Sequence, residues 1–171
     1  MDGGHYRGMS VWDLPSLRTV LTQNIPVTGA MGLTVRRVDD DGLVLGIPLA
    51  PNVNHKHTFF AGSLNAAATL AGWGLLWLAA RQADVPAHIV IREGTTRYRR
   101  PGTGDCEATC AWPAPPIVND AIDAVRQGRR ARVRLAVTVR EGEKIVVEFE
   151  GRYVLLPLEA WPVPFSRAAQ G

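Results

Sequence analysis

Apolar and polar positions change their period several times along the chain, and each change marks an element. Leu14, Leu17, Val20 and Leu21 recur at helical spacing. Asp13 is placed to cap that helix, Pro15 falls in its first turn, and Pro26 ends it, so residues 13–23 are predicted helical. Residues 31–38 and 43–49 are apolar-rich runs separated by Asp39-Asp40-Asp41-Gly42, a strong turn signal, and read as a hairpin that Pro48 and Pro51 end raggedly. From Leu64 to Ala80 there is no charge. Together with the lead-in from Phe59 to Ser63, this stretch predicts a long helix ending near Gln82. It is apolar nearly all round and must be enclosed. Gly72 and Gly74 permit close backbone packing on it, at about 1 kcal/mol each relative to Ala.

After Pro86 the pattern returns to strands. Residues 88–99 and 105–112 are two, joined by Arg100-Pro101-Gly102-Thr103-Gly104, and Pro113 to Pro116 form a break. A short helix is predicted over residues 119–127. Residues 132–140 and 144–154 alternate with a period of two. Matching their apolar faces places Val139 opposite Ile145, Val137 opposite Val147 and Leu135 opposite Phe149, with Glu141-Gly142-Glu143 as the loop and Arg134 facing Glu150. Strands in meander-like succession around one dominant helix imply an α+β antiparallel sheet. A single sheet wrapping one apolar helix leaves apolar surface uncovered, so at least a homodimer, or a dimer of dimers, is expected.

Composition narrows the classes. At about 150 residues per domain, the 171 residues make one domain, drawn here as residues 13–156, with tails at 1–12 and 157–171 in which Trp161 and Phe165 could pack down. Hydrophobic residues at 46% and charged residues at 20% exclude general disorder. The net charge of +3 argues against a nucleic-acid binder, while 17 Arg against 2 Lys would suit a phosphate-bearing ligand. Cys106 and Cys110 lie on one predicted strand, about 13 Å apart at about 3.3 Å per residue, beyond the ~7 Å that a disulfide spans. Two reduced thiols suit the cytoplasm. The first eleven residues lack the apolar core of a signal peptide. The charge-free stretch is short for a bilayer and carries Asn65 and Thr69, so a buried helix rather than a membrane span is expected.

A family resemblance rests on Pro48-Leu49-Ala50-Pro51-Asn52-Val53-Asn54, then Thr58, then Phe60-Ala61-Gly62-Ser63-Leu64, then Ala68-Thr69-Leu70-Ala71-Gly72-Trp73-Gly74, and later Tyr98, Arg100-Pro101 and Gly104-Asp105. Over residues 14–156 the chain resembles the hotdog-fold thioesterase superfamily, and more closely the thioesterase domain at the C-terminus of YiiD-type acetyltransferases. The resemblance implies an antiparallel sheet wrapped around one central helix and hydrolysis of an acyl-CoA or acyl-carrier thioester, with coenzyme A as part of the substrate and no further cofactor. Two positions depart from it: Ala61-Gly62 stands where a Gly-Gly pair is usual, and His57 where Gly is common.

Thioester hydrolysis needs an oxyanion hole, a positioned water and a proton acceptor. The helix start near Gly62 and Ser63 supplies the first through free N–H groups. Hotdog thioesterases of the phenylacetyl-CoA type carry a helix carboxylate where this chain has Thr69, and a histidine where it has Phe60. No Asp or Glu occurs between Asp41 and Asp84. The remaining polar candidates are Asn52, Asn54, His55, His57, Thr58, Ser63, Asn65 and Thr69, with Glu93 or Asp105 as a further route to a base. Each has a structural alternative: Asn52 and Asn54 as turn caps, the histidines as solvated loop residues, Ser63 as a helix cap, Thr69 bonded back to its helix. His55 and His57 lack a nearby third ligand, so no metal is expected. Phe59, Phe60 and Trp73 are candidates for the acyl group, and Arg97, Tyr98 and Arg100 for the coenzyme A phosphates, with a solvated sheet edge as the alternative for the arginines. Two other readings stand beside the thioesterase: a non-catalytic acyl-CoA or acyl-carrier binding module, and a hotdog hydratase or dehydratase.

Overall fold

The computed structural model describes residues 12–160. Helix α1 (Leu14–Thr19) runs on into a single π-helical turn (Val20–Asn24), and α2 (Pro26–Ala30), β1 (Thr34–Val38) and β2 (Gly42–Ile47) follow. The long helix α3 (Ala61–Gln82) precedes β3 (Ala87–Tyr98), β4 (Cys106–Ala111), α4 (Pro115–Arg126), β5 (Ala131–Glu141) and β6 (Lys144–Pro157). Asp13 caps α1 as expected, its carboxylate accepting from Ser16 N at 3.2 Å. Pro26, expected only to end a helix, also starts the next one, where its fixed φ suits the first position. The strand expected from residue 31 begins at Thr34, because Met31 and Gly32 (φ 67°) make the turn out of α2.

The six strands form one antiparallel sheet in the order β1-β2-β4-β5-β6-β3, wrapped around α3. This is the α+β hotdog arrangement that the resemblance implies. Leu64, Ala67, Ala68, Ala71, Leu75, Leu76 and Leu78 of α3 are buried against the sheet. Among the described residues α3 is the one helix long and apolar enough to cross a membrane, and it is the enclosed helix of the fold. The glycines act as the sequence suggests: a Cβ on Gly72 would lie 2.3 Å from the hydroxyl of buried Tyr153, and one on Gly74 would lie 2.8 Å from Leu43. Trp12 stacks on Trp112 with ring centroids 4.9 Å apart and joins the core. Trp161 and Phe165 lie outside the described residues.

Two expectations are corrected. The strands are not a meander: β3 pairs with β6 at one edge, while β4 sits between β2 and β5. The linker Arg100–Gly104 is too long to force a hairpin; it crosses the N-terminal end of α3, where Phe59 N donates to Gly102 O at 2.8 Å. The β5–β6 register also differs. Val139 faces Val147, Val137 faces Phe149, Leu135 faces Gly151, and Arg134 faces Arg152 rather than Glu150. A bulge beside Val139 and Arg140 and a two-residue turn, Gly142-Glu143 with Gly142 at φ 55°, offset the strands by two. From Val147 onward a shift of two keeps every side chain on its expected face, which is why alternation alone could not detect it, while at the bulge Ile145 turns to the outer face opposite Arg140.

Candidate active site

The loop before α3 is built from its own asparagines. Asn52 is 3% exposed, and its Nδ2 donates to Met31 O at 2.8 Å and Pro48 O at 2.7 Å. It clamps the α2 exit and the β2 exit together and faces no solvent. Asn54 Oδ1 accepts from Lys56 N at 2.8 Å and from Thr58 N at 3.3 Å, while its Nδ2 donates to Thr58 Oγ1 at 2.9 Å and Phe59 O at 3.1 Å. The polar atoms of Asn54 and the hydroxyl of Thr58 are therefore occupied in closing the turn. His57 sits at φ 58° in that turn, and its imidazole and that of His55 are exposed. Phe59 is buried against Gly102, while Phe60 is 55% exposed.

Phe60 N donates to Asn52 O at 2.7 Å, which fixes the start of α3. Ser63 N and Leu64 N both donate to Phe60 O. The N–H groups of Ala61 and Gly62 have no acceptor among the described residues, so they are the free donors of the first turn. Both residues are exposed. The Phe60 ring lies across Gly62, where a Cβ would come within 2.4 Å of it; only glycine keeps both that ring and the amide in place. Ser63 is not the helix cap: Phe60 holds that position, and Ser63 is 9% exposed, its hydroxyl making no hydrogen bond among the described residues.

Strand β3 runs beside one row of α3. Tyr98 Oη donates to Ala61 O at 3.1 Å, Thr96 Oγ1 donates to Asn65 Oδ1 at 2.6 Å, and Trp73 Nε1 donates to Ile89 O at 2.9 Å. Ala61, Asn65, Thr69, Trp73 and Trp77 follow one another every four residues on a single face. From Asn65 to Trp77 this row is only half-buried. It is polar near the free amides and aromatic further along, where Trp73 stacks on Trp77 at 6.3 Å and Arg81 lies over Trp77. Thr69 does not bond back to its helix: its hydroxyl has no partner among the described residues, and its carbonyl accepts from Tyr153 Oη at 2.8 Å. A separate cleft of about 540 Å³ lies at the far end of α3, lined by Trp77, Arg81, Val85 and Leu158 and remote from the free amides.

The charged candidates divide. Arg97 pairs with Glu150 at 3.6 Å, and Arg99 Nε with Glu148 at 2.7 Å, on the outer face. Glu150 thus meets Arg97 rather than Arg134. Arg100 is exposed and makes no contact ion pair among the described residues, though its charge acts on the Glu141 carboxylate. Glu93 accepts from Arg152 at 3.0 Å, and Asp105 accepts from Leu49 N at 2.8 Å, so both carboxylates already hold the scaffold. Glu141 accepts from Thr103 N at 3.0 Å and Thr103 Oγ1 at 2.9 Å, and these bonds hold its carboxyl below the usual range. Both cysteines are free and buried, and burial pushes their thiols up to about 12.

Residues 14–157 match the family model YiiD_C, described as "Putative thioesterase (yiiD_Cterm)". The chain belongs to this family. As a YiiD_C domain it has close structural relatives. A Shewanella oneidensis protein described as a "putative thioesterase" is 34% identical over 84% of this chain and 97% of its own, with a TM-score of 0.77. A Chlorobaculum tepidum protein is 31% identical over 84% of this chain and 93% of its own, with a TM-score of 0.79. A Pseudomonas aeruginosa protein described as a "Probable Thioesterase" is 25% identical over 90% of this chain and 99% of its own, with a TM-score of 0.72. These likenesses support a thioesterase-like hotdog function for this YiiD_C domain.

Proposed function

We propose that this YiiD_C domain is a homodimeric acyl-CoA thioesterase of the cytoplasm. The observation that carries the reading is the pair of unbonded N–H groups of Ala61 and Gly62 at the start of a 22-residue enclosed helix. A thioester carbonyl placed there would find two backbone donors that need no reorganisation. Water adds to the carbonyl carbon, the carbonyl oxygen takes up the π electron pair, and collapse of the intermediate breaks the C–S bond. Of the two imidazoles in the loop, His55 and His57, His57 lies nearer in sequence to the helix start; it takes the water's proton and returns it to the departing thiolate. Asn54 and Thr58 hold that loop in shape. The acyl group lies along the half-buried row toward Trp73, beside the exposed Phe60 ring, and Arg100 and Tyr98 stand where a coenzyme A moiety leaves the site.

The open sheet edge supports the homodimer. One side of β3 pairs with β6 and the other is unpaired among the described residues, with Ile91 and Tyr98 exposed. An open edge of twelve residues is a pairing surface, and a second copy laid along it would also cover the row on α3. An acyl-carrier thioester is the alternative substrate.

The test is thiol release from short, long and aromatic acyl-CoAs. Release well above background, with one chain-length class preferred, supports the enzyme. A folded dimer that binds acyl-CoA and releases no thiol would instead be an acyl-thioester binding module. That second reading is favoured by one observation: α3 carries no carboxylate, and Glu93 and Asp105 are engaged elsewhere.

A further inference from the structure

Asn65 stands out among the polar groups around α3. Its Oδ1 is taken by Thr96 Oγ1 at 2.6 Å, and its Nδ2 has no partner among the described residues. The two prongs of a carboxamide point apart, so a bond that fixes the oxygen also fixes the direction of the two N–H donors. Asn65 lies three residues beyond Gly62 and four beyond Ala61, on the same helix face. Helical side chains lean back toward the N-terminus, over the preceding turn. That preceding turn is the one holding the free amides of Ala61 and Gly62. Tyr98 anchors the same strand to the same turn through Ala61 O at 3.1 Å, so Thr96 is held in register with Asn65.

We propose that Asn65 is a catalytic residue of the thioester site, the side-chain donor that joins the Ala61 and Gly62 amides around the developing oxyanion, and that Thr96 is its positioning residue. This rests on the thioesterase reading above. It gives the site a donor set made entirely of N–H groups, with no carboxylate on the helix. It also gives Thr96, a hydroxyl on the edge strand, a role in the reaction without any contact to substrate.

The experiment is steady-state thiol release with the best acyl-CoA, for the parent chain and for Asn65→Ala, Asn65→Asp, Thr96→Val and the Asn65→Ala/Thr96→Val pair, with the fold of each checked by thermal unfolding. Asn65→Ala is expected to lower kcat about 100-fold with KM nearly unchanged, the usual effect of losing one oxyanion donor. Asn65→Asp has the same shape but no N–H donors and is expected to lose at least as much. Thr96→Val is expected to lose about tenfold in kcat, and to cost nothing further once Asn65 is Ala, because it acts only through Asn65. An active parent with Asn65→Ala within twofold of it, an Asn65→Asp variant as fast as the parent, or additive losses in the double variant would overturn the assignment and leave the thioesterase reading intact. A folded parent that releases no thiol from any acyl-CoA or acyl-carrier thioester would overturn both.

Discussion

The hydroxyl of Tyr153, on the last strand, donates to the carbonyl of Thr69 at 2.8 Å, in the middle of the helix that the sheet wraps. The approach is possible because the next turn presents Gly72 instead of a side chain. Gly72→Ala should therefore destabilise the fold by about 1–3 kcal/mol, through overpacking against a ring with no room to move. Tyr153→Phe should cost less, about 1 kcal/mol, since only one hydrogen bond is lost. Denaturant midpoints of the two variants check the order.

Asn52 and Asn54 look alike in the sequence and should behave differently. Asn52→Ala strands two carbonyls beneath the loop and should cost about 2–3 kcal/mol of stability. Asn54→Ala loosens a part-exposed turn; it should leave the melting temperature within a few degrees of the parent but lower kcat/KM about tenfold by displacing His57 and the helix start. Thermal melts run beside thiol-release assays separate the two effects.

Among the three arginines at the end of β3, Arg100 is the one that makes no contact ion pair among the described residues; it acts on the Glu141 carboxylate only from a distance. Arg100→Ala should raise KM for acyl-CoA about tenfold, and leave it unchanged for an acyl-pantetheine lacking the nucleotide phosphates. Arg97→Ala and Arg99→Ala should change KM by less than about threefold, because each cation is already neutralised. Comparing KM for the two substrates across the three variants decides this.

Glu141 makes the acid limb of stability legible. Hydrogen bonds from Thr103 lower its carboxyl pKa in the folded chain. A lowered folded value means a contribution present above the ordinary carboxylate range and lost as the pH falls through the folded value. Glu141→Gln should thus lower the melting temperature at neutral pH and flatten its decline between about pH 5 and 3. Melting temperature against pH for parent and variant measures this.

Much of the fold was readable because it is written in local periods. The enclosed helix follows from a charge-free stretch, the alternating strands from their inward-facing residues, and the Asp13 cap from one residue before an amphipathic run. Strand order was not readable. The linker Arg100–Gly104 is compatible with a hairpin or a crossing, and only pairing with the distant β6 decides between them. The two-residue shift of β5 against β6 was invisible for a related reason, since from Val147 onward it preserves the face of every residue. At the site, the loop residues and the helix start could be found from the family strings. The bond from Thr96 to Asn65 could not, since it joins positions on separate elements through a sheet edge whose place the sequence left open.

The linker across the mouth of the site has a consequence in time. Gly102 is held by Phe59 from the loop before α3, and Thr103 by Glu141 from the end of β5, so the entrance is tied from both sides by segments far apart in sequence. The Thr103 tie cannot form until β5 is in place, and the Gly102 tie sits on a linker whose flanking strands, β3 and β4, are held by β6 and β5. Such long-range contacts are made late, after the cost of closing the intervening loops has been met. The entrance should therefore be among the last parts of the molecule to assemble. A chain cut before β5 would keep every loop residue and the whole of α3, yet would lack the order at the mouth that lets a substrate be held there.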